Sequence, residues 1–92
     1  MHIPRLSTKE FQILSLLIKG GEMFALQLVR LVPGQLAVGT VYTTLQRMER
    51  KGFVSSRLVG DSAGGAARRL YRPTGMGYRM FTALQREAIP AH

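Results

Sequence analysis

Apolar residues in the first part of the chain, Phe11, Ile13, Leu14, Leu17 and Ile18, recur three and four residues apart, the spacing of a helix that hides one face. Just ahead of them, Ser7-Thr8-Lys9-Glu10 has the form of a capping box. The pattern predicts a helix over Thr8 to Lys19, ending at Gly20-Gly21, where a positive φ costs little. A second apolar segment, Met23 to Val32, has only Gln27 and Arg30 as polar interruptions, and so predicts a short helix covered on most sides and stopped by Pro33-Gly34. After the turn from Gly34 to Val38, the stretch Gly39 to Lys51 sorts into two faces. Val41, Leu45 and Met48 share one stripe; Thr40, Thr43, Thr44, Arg47, Arg50 and Lys51 fall elsewhere, which predicts an amphipathic helix with a polar, basic outer face.

Gly52 closes that helix, and the periodicity then changes. Two runs suited to strands, Phe53 to Val59 and Ala67 to Arg72, flank a turn-rich linker from Gly60 to Ala66, which reads as a hairpin with a flexible tip. Pro73 ends the second strand and Thr74 is placed to cap a last helix, marked by Met76, Met80, Phe81, Leu84 and Ala88 and stopped by Ile89-Pro90. The predicted fold is mainly α with a small β-hairpin, in the order α-α-α-β-β-α. No internal repeat or low-complexity tract interrupts it.

Composition narrows the function. A chain of 92 residues closes one core, so a single domain over 1–92 is expected, with self-association supplying part of its stability. Thirteen Lys and Arg stand against five Asp and Glu, a net charge of +8, and a pI near 11.2 suits a polyanionic partner, nucleic acid or an acidic membrane surface. Seven of the cations lie between Arg47 and Arg72 against only Glu49 and Asp61, so the charge gathers on the third helix and the hairpin. With no Cys, and with His2 and His92 at the chain ends, no disulfide, metal site or cofactor is expected. The chain offers no paired carboxylates at helical spacing, and its glycines from Gly60 to Gly65 sit between strands, so no catalytic residue and no enzymatic activity are expected. No apolar run approaches a membrane span or a signal segment, which predicts a soluble cytoplasmic protein.

The run Gly34-Gln35-Leu36-Ala37-Val38-Gly39-Thr40-Val41-Tyr42, followed by Leu45, Arg47, Glu49 and Gly52, and the later Arg68-Arg69-Leu70-Tyr71-Arg72 with Thr74 and Gly77, resemble the N-terminal winged helix-turn-helix domain of the PadR family of bacterial transcriptional regulators. The resemblance runs from about Leu6 to Gly77 and implies a winged-helix core over 8–73 with a C-terminal helix, 74–89, used for dimerisation. The chain departs from the family pattern in having Met23-Phe24 in place of a Gly-Tyr pair and Thr43 where Pro commonly follows the recognition-helix Tyr. Some short members bind flat drugs between interface tryptophans; this chain has no Trp, so a small-molecule effector is not indicated.

The resemblance implies a regulator of transcription, a repressor acting as a homodimer on an inverted-repeat operator in double-stranded DNA. Thr40, Thr43 and Thr44 are assigned to base edges or nearby phosphates, Tyr42 to a backbone phosphate, and Arg47 to a phosphate or a guanine edge. Strand alternation puts Arg68 and Arg69 on opposite faces; both are assigned to phosphates or the minor groove, and Arg72 is weighed with them. A dimer interface of Phe11, Leu14, Phe81 and Leu84 is expected. The rival reading is a winged-helix protein-interaction module without DNA specificity, while RNA binding lacks stacking aromatics on the helix. If each protomer neutralises about four phosphates, the logarithm of the dimer's affinity for duplex falls against log salt with a slope of roughly −7, whereas a docking module shows little duplex binding.

Overall fold

The capping box forms. In the computed structural model, which describes residues 5–32, 34, 36–60 and 67–88, the Ser7 hydroxyl accepts from the Glu10 N–H at 3.2 Å and the Glu10 carboxylate accepts from the Ser7 N–H at 2.7 Å. Helix α1 (Thr8–Gly20) starts there and ends on Gly21, whose N–H donates to the Leu17 carbonyl. The chain then departs from its expected path. Met23 and Phe24 form a two-residue strand, β1, before α2 (Ala25–Leu31) begins. The Gln27 side chain accepts from the Phe24 N–H at 2.8 Å and so fixes the helix start one residue later. An apolar run this short carries no period that would separate strand from helix, and what decides it is a partner far along the chain.

That partner is β3. Helix α3 (Val38–Lys51) is closed by Gly52 in the left-handed conformation at φ 88°, and the chain turns into β2 (Val54–Val59) and then β3 (Arg68–Pro73). The sheet is three-stranded and antiparallel, in the order β1-β3-β2, with Met23 opposite Tyr71, Phe24 opposite Leu70 and Ser56 opposite Tyr71. The expected hairpin is therefore part of a larger sheet. The hairpin tip at 61–66, Pro33 and the Ile89-Pro90 stop lie outside the described residues, as does the side chain of Ala88.

The core gathers one stripe from every element: Ile13, Leu14 and Leu17 of α1, Leu28 of α2, Val41, Leu45 and Met48 of α3, then Phe53, Val54 and Tyr71. The predicted seam of α3 is wholly buried. Helix α4 (Gly75–Ala88) is set against this core by Thr74. The Thr74 hydroxyl donates to the Gly52 carbonyl at 2.6 Å and accepts from the Gly77 N–H at 3.0 Å, and the Thr74 N–H donates to the Phe53 carbonyl. The approach is so close that a Cβ on Gly77 would run into the Phe53 carbonyl oxygen, which is backbone and has no rotamer by which to yield. Among the described residues, no helix is long and apolar enough to cross a membrane.

One charged residue sits inside. Glu10 has no exposed surface, and its carboxylate faces the Lys51 ammonium at 2.9 Å and 3.1 Å. The same ammonium donates to the Arg5 carbonyl at 2.8 Å. Burial by itself would raise the pKa of Glu10, but the Ser7 N–H, the Lys51 ammonium and the Ser7 hydroxyl together outweigh it and hold the carboxyl below its ordinary value of 4.5.

Two predictions follow from this packing. Gly77→Ala lowers stability by about 2 kcal/mol through overpacking against Phe53, read as a lower thermal midpoint. Because the folded-state pKa of Glu10 is depressed, its stabilisation is complete above its ordinary value and is lost as pH falls through the lower folded value. Glu10→Gln, which keeps the cap but not the charge, is thus less stable than the parent by about 1–2 kcal/mol near neutrality, and the gap closes as pH falls through the depressed folded-state value. Parallel melting curves from pH 7 downward measure it, and a gap that stays constant refutes the role given to the charge.

Candidate nucleic-acid interface

With Val41, Leu45 and Met48 turned inward, the opposite side of α3 is fixed. Tyr42, Thr43 and Arg47 are exposed, Thr40 is half-buried, and all lie on or beside that outer face. Gln46 and Arg50 are exposed there too, completing a stripe Tyr42, Thr43, Gln46, Arg47, Arg50 that follows the helical repeat. Gln46 and Arg50 are not among the expected site residues, although their spacing from Tyr42 and Thr43 is enough to place them.

Thr44 requires a correction. It is only 4% exposed, and its hydroxyl donates back to the Thr40 carbonyl at 2.7 Å. The reason is angular: 41, 44, 45 and 48 form the i, i+3, i+4, i+7 set that one buried helix face requires. Thr44 is the polar member of that set, and the bond to Thr40 satisfies its hydroxyl where water does not reach.

The wing divides by strand alternation. Val54, Ser56 and Tyr71 lie on the face toward the core, and the register carries that face outward through Leu58 and Arg69. Arg69 donates to the Ser56 hydroxyl at 3.1 Å, and Ser56 donates to the Glu49 carboxylate of α3 at 2.9 Å. Helix and wing are thus joined by a hydrogen-bonded chain, and Arg69 is held on the side of α3. Tyr71, buried in this face, has its phenol pKa raised, by burial first and then by the nearby Glu49 charge.

Arg68 and Arg72 belong to the other face of the sheet. The Arg68 guanidinium lies 4.3 Å from the centre of the Phe24 ring, a cation–π contact. Arg72 donates to the Ser55 hydroxyl at 3.2 Å, and on the same face Arg57 pairs with Glu22 at 2.9 Å. The structure therefore ties Arg69 to α3 through Ser56 and Glu49, and sets Arg68 and Arg72 on the opposite face of the sheet.

Of the residues expected at a subunit interface, Leu14 has no exposed surface and is core. It occupies the inward stripe of α1 with Glu10, Ile13 and Leu17. Phe11 and Phe81 are half-buried and stack on each other within one chain, with ring centres 5.1 Å apart and planes 17° from parallel. Leu84 is half-buried, and Tyr78 on the same helix is exposed.

Three helices, a small antiparallel sheet and a final helix packed on the turn after α3 define a winged-helix protein. The chain belongs to the PadR-like family of transcriptional regulators, whose profile matches residues 13–83, and that family is one of regulators, not of enzymes. A PadR family transcription regulator from Clostridium difficile R20291 superposes with a TM-score of 0.75 at 26% identity, over 88% of this chain and 86% of that one. A PadR-like transcription factor from Bacteroides fragilis gives 0.76 at 25% identity, over 85% and 77%. Bacillus subtilis PadR, solved in complex with operator DNA, gives 0.80 over 96% of this chain and 52% of that one, and at 17% identity the likeness is one of fold. No curated protein matches the sequence.

Proposed function

We propose that the protein binds double-stranded DNA as a homodimer, laying α3 in the major groove of each half of an inverted-repeat operator, and represses transcription from the cytoplasm. The observation that carries this reading is the union of two features on one side of the molecule. The buried seam of α3 turns Tyr42, Thr43, Gln46, Arg47 and Arg50 outward, and the hydrogen-bonded chain through Ser56 links Arg69 of the wing to Glu49 of the same helix. A helix of this width fits the major groove, and the adjoining wing strand then reaches a backbone or the neighbouring minor groove.

The roles follow from chemistry. Thr40 and Thr43 offer short hydroxyls to base edges or phosphates, Tyr42 a phenol to a backbone phosphate, and Arg47 a forked donor to a guanine edge or phosphate. Gln46 pairs donor and acceptor on one amide, the combination that reads adenine. Arg69 is the wing's phosphate contact, and Arg68, on the opposite face, contacts DNA only where the wing enters the minor groove. Thr44 is left out because it has almost no surface to offer. Support for the DNA partner comes from the operator complex of the Bacillus subtilis protein, which shares this fold.

For the dimer, the half-buried Phe11, Phe81 and Leu84 with exposed Tyr78 form a surface that joins α1 to α4. A second copy burying it would space two recognition helices for two half-sites, as an inverted repeat requires.

Selection of bound duplexes from a random pool tests the reading. The enriched sequences should contain an inverted repeat with half-sites about one helical turn apart. On that operator Arg47→Ala weakens binding by about 1–3 kcal/mol while leaving the thermal midpoint within a few degrees of the parent. Enrichment of no motif, or full affinity in the variant, removes α3 as the reading helix.

A further inference from the structure

We infer that Lys9, in the first turn of α1, is a second anchor on the DNA backbone, binding the phosphates on the side of the major groove opposite the wing. The inference rests on α3 being the groove-reading helix and adds to it an element, α1, and a residue outside the winged-helix hairpin.

The outer stripe of α3 has two flanks. On one, Glu49 is tied through Ser56 to Arg69 of the wing. On the other, a cleft of about 510 Å³ opens between α3 and the start of α1, and Lys9 borders it together with Gly39, Thr40, Thr43 and Arg47. Two cations and hydroxyl-bearing side chains line this cleft, and no carboxylate does. The nearest acid in sequence, Glu10, points inward and is neutralised by Lys51. At the rim, Gly39 has open space where a Cβ would stand, so a strand of backbone can come close.

A helix lying in the major groove runs between two phosphate backbones on either side of a groove about 12 Å wide. The wing holds Arg69 toward one of them. The cleft toward α1 opens on the flank away from the wing, and Lys9 is the cation that α1 contributes to it.

Among the described residues, nothing inside the protein accounts for Lys9. It is exposed and, among the described residues, has no ion-pair partner. The cap around it is made by Ser7 and Glu10 without its help. A cation in a first helical turn is opposed by the helix dipole, so its local effect on folding is unfavourable. A position that breaks a local rule without internal gain points outward, to a ligand. The ligand class is a phosphodiester backbone, because an ammonium is a point charge that reads no base.

The experiment compares wild-type protein, Lys9→Gln and Lys9→Glu on the selected operator and on an unrelated duplex across a salt series. Lys9→Gln should weaken binding to both duplexes by a similar factor, roughly tenfold or more near 0.1 M salt, and make the salt slope shallower by about 2 for a dimer that loses two phosphate contacts. Lys9→Glu should bind more weakly still, yet melt at the same temperature or higher, since a carboxylate suits a helix start. A residue with a merely structural role would move stability and affinity together. Parental affinity and slope in Lys9→Gln, with Arg47→Ala still impaired, overturns the assignment of Lys9 and leaves α3 as the reader. A wild-type protein that binds no duplex overturns both.

Discussion

The ion pair between Glu10 and Lys51 fixes how α3 meets α1. The Glu10 carboxylate, without exposed surface, meets the Lys51 ammonium at 2.9 Å, and so pins the last turn of α3 to the first turn of α1. Each charge also suits its place on its own helix, the acid at an N-terminus and the base at a C-terminus. A buried ion pair is weak evidence of added stability, because two charges leave water to form it. Its value here is positional. With the Ser7 N–H and the Arg5 carbonyl filling the remaining bonds, the pair tolerates one arrangement of the two helices and penalises others.

The other constraints on α3 act at the same end. Gly52 closes the helix in a conformation that few other residues adopt, Glu49 is bonded to Ser56 of the wing, and Thr74 bonds the Gly52 carbonyl to start α4. Three neighbouring elements, α1, β2 and α4, therefore meet the last turn of α3. The sheet adds its own tie, since β3 is held between β1 and β2 and cannot swing as a free hairpin would.

Most of this was legible along the chain, and the exceptions share a cause. The seam Val41, Leu45 and Met48, the capping box at Ser7, and the stops at Gly52 and Pro73 all depend on neighbours within a few residues, where period and cap chemistry decide. Polarity misleads at Thr44 and the expected interface role misleads at Leu14, because the angle around the helix decides both: 41, 44, 45, 48 and 10, 13, 14, 17 are the same stripe on two helices. Glu10 is the counterpart of Thr44, a polar residue on a core stripe, and its partner is Lys51, 41 residues away in sequence. No local pattern could supply that partner, nor the pairing of Met23 and Phe24 with β3. The candidate site was readable as a face but not as a set. Helical period gives Thr43 and Arg47, the family resemblance supplies Tyr42, and the sorting of Arg69 from Arg68 and Arg72 follows from strand alternation once the register is known.

The concentration of constraints at one end of α3 has a mechanical consequence. The helix has 14 residues, about 20 Å at 1.5 Å per residue. Its start at Ala37 carries no side-chain cap, and Thr40, Tyr42 and Thr43 lie in the half away from the polar ties to α1, β2 and α4, where the buried Val41 sets the helix on the core. A tilt of about 5° at the anchored end moves the far end by about 2 Å, more than a hydrogen bond to a base edge tolerates. Contacts made near the start of α3 are thus sensitive to residues that never approach DNA, Glu10 and Thr74 among them. A phosphate anchor on α1 would act against the same lever arm, because α1 is the element to which the end of α3 is pinned. Lys9 next to Glu10 would join the two tasks in one helical turn: Glu10 sets the angle of α3 from within, and Lys9, as proposed, would fix the same turn to a phosphate backbone outside.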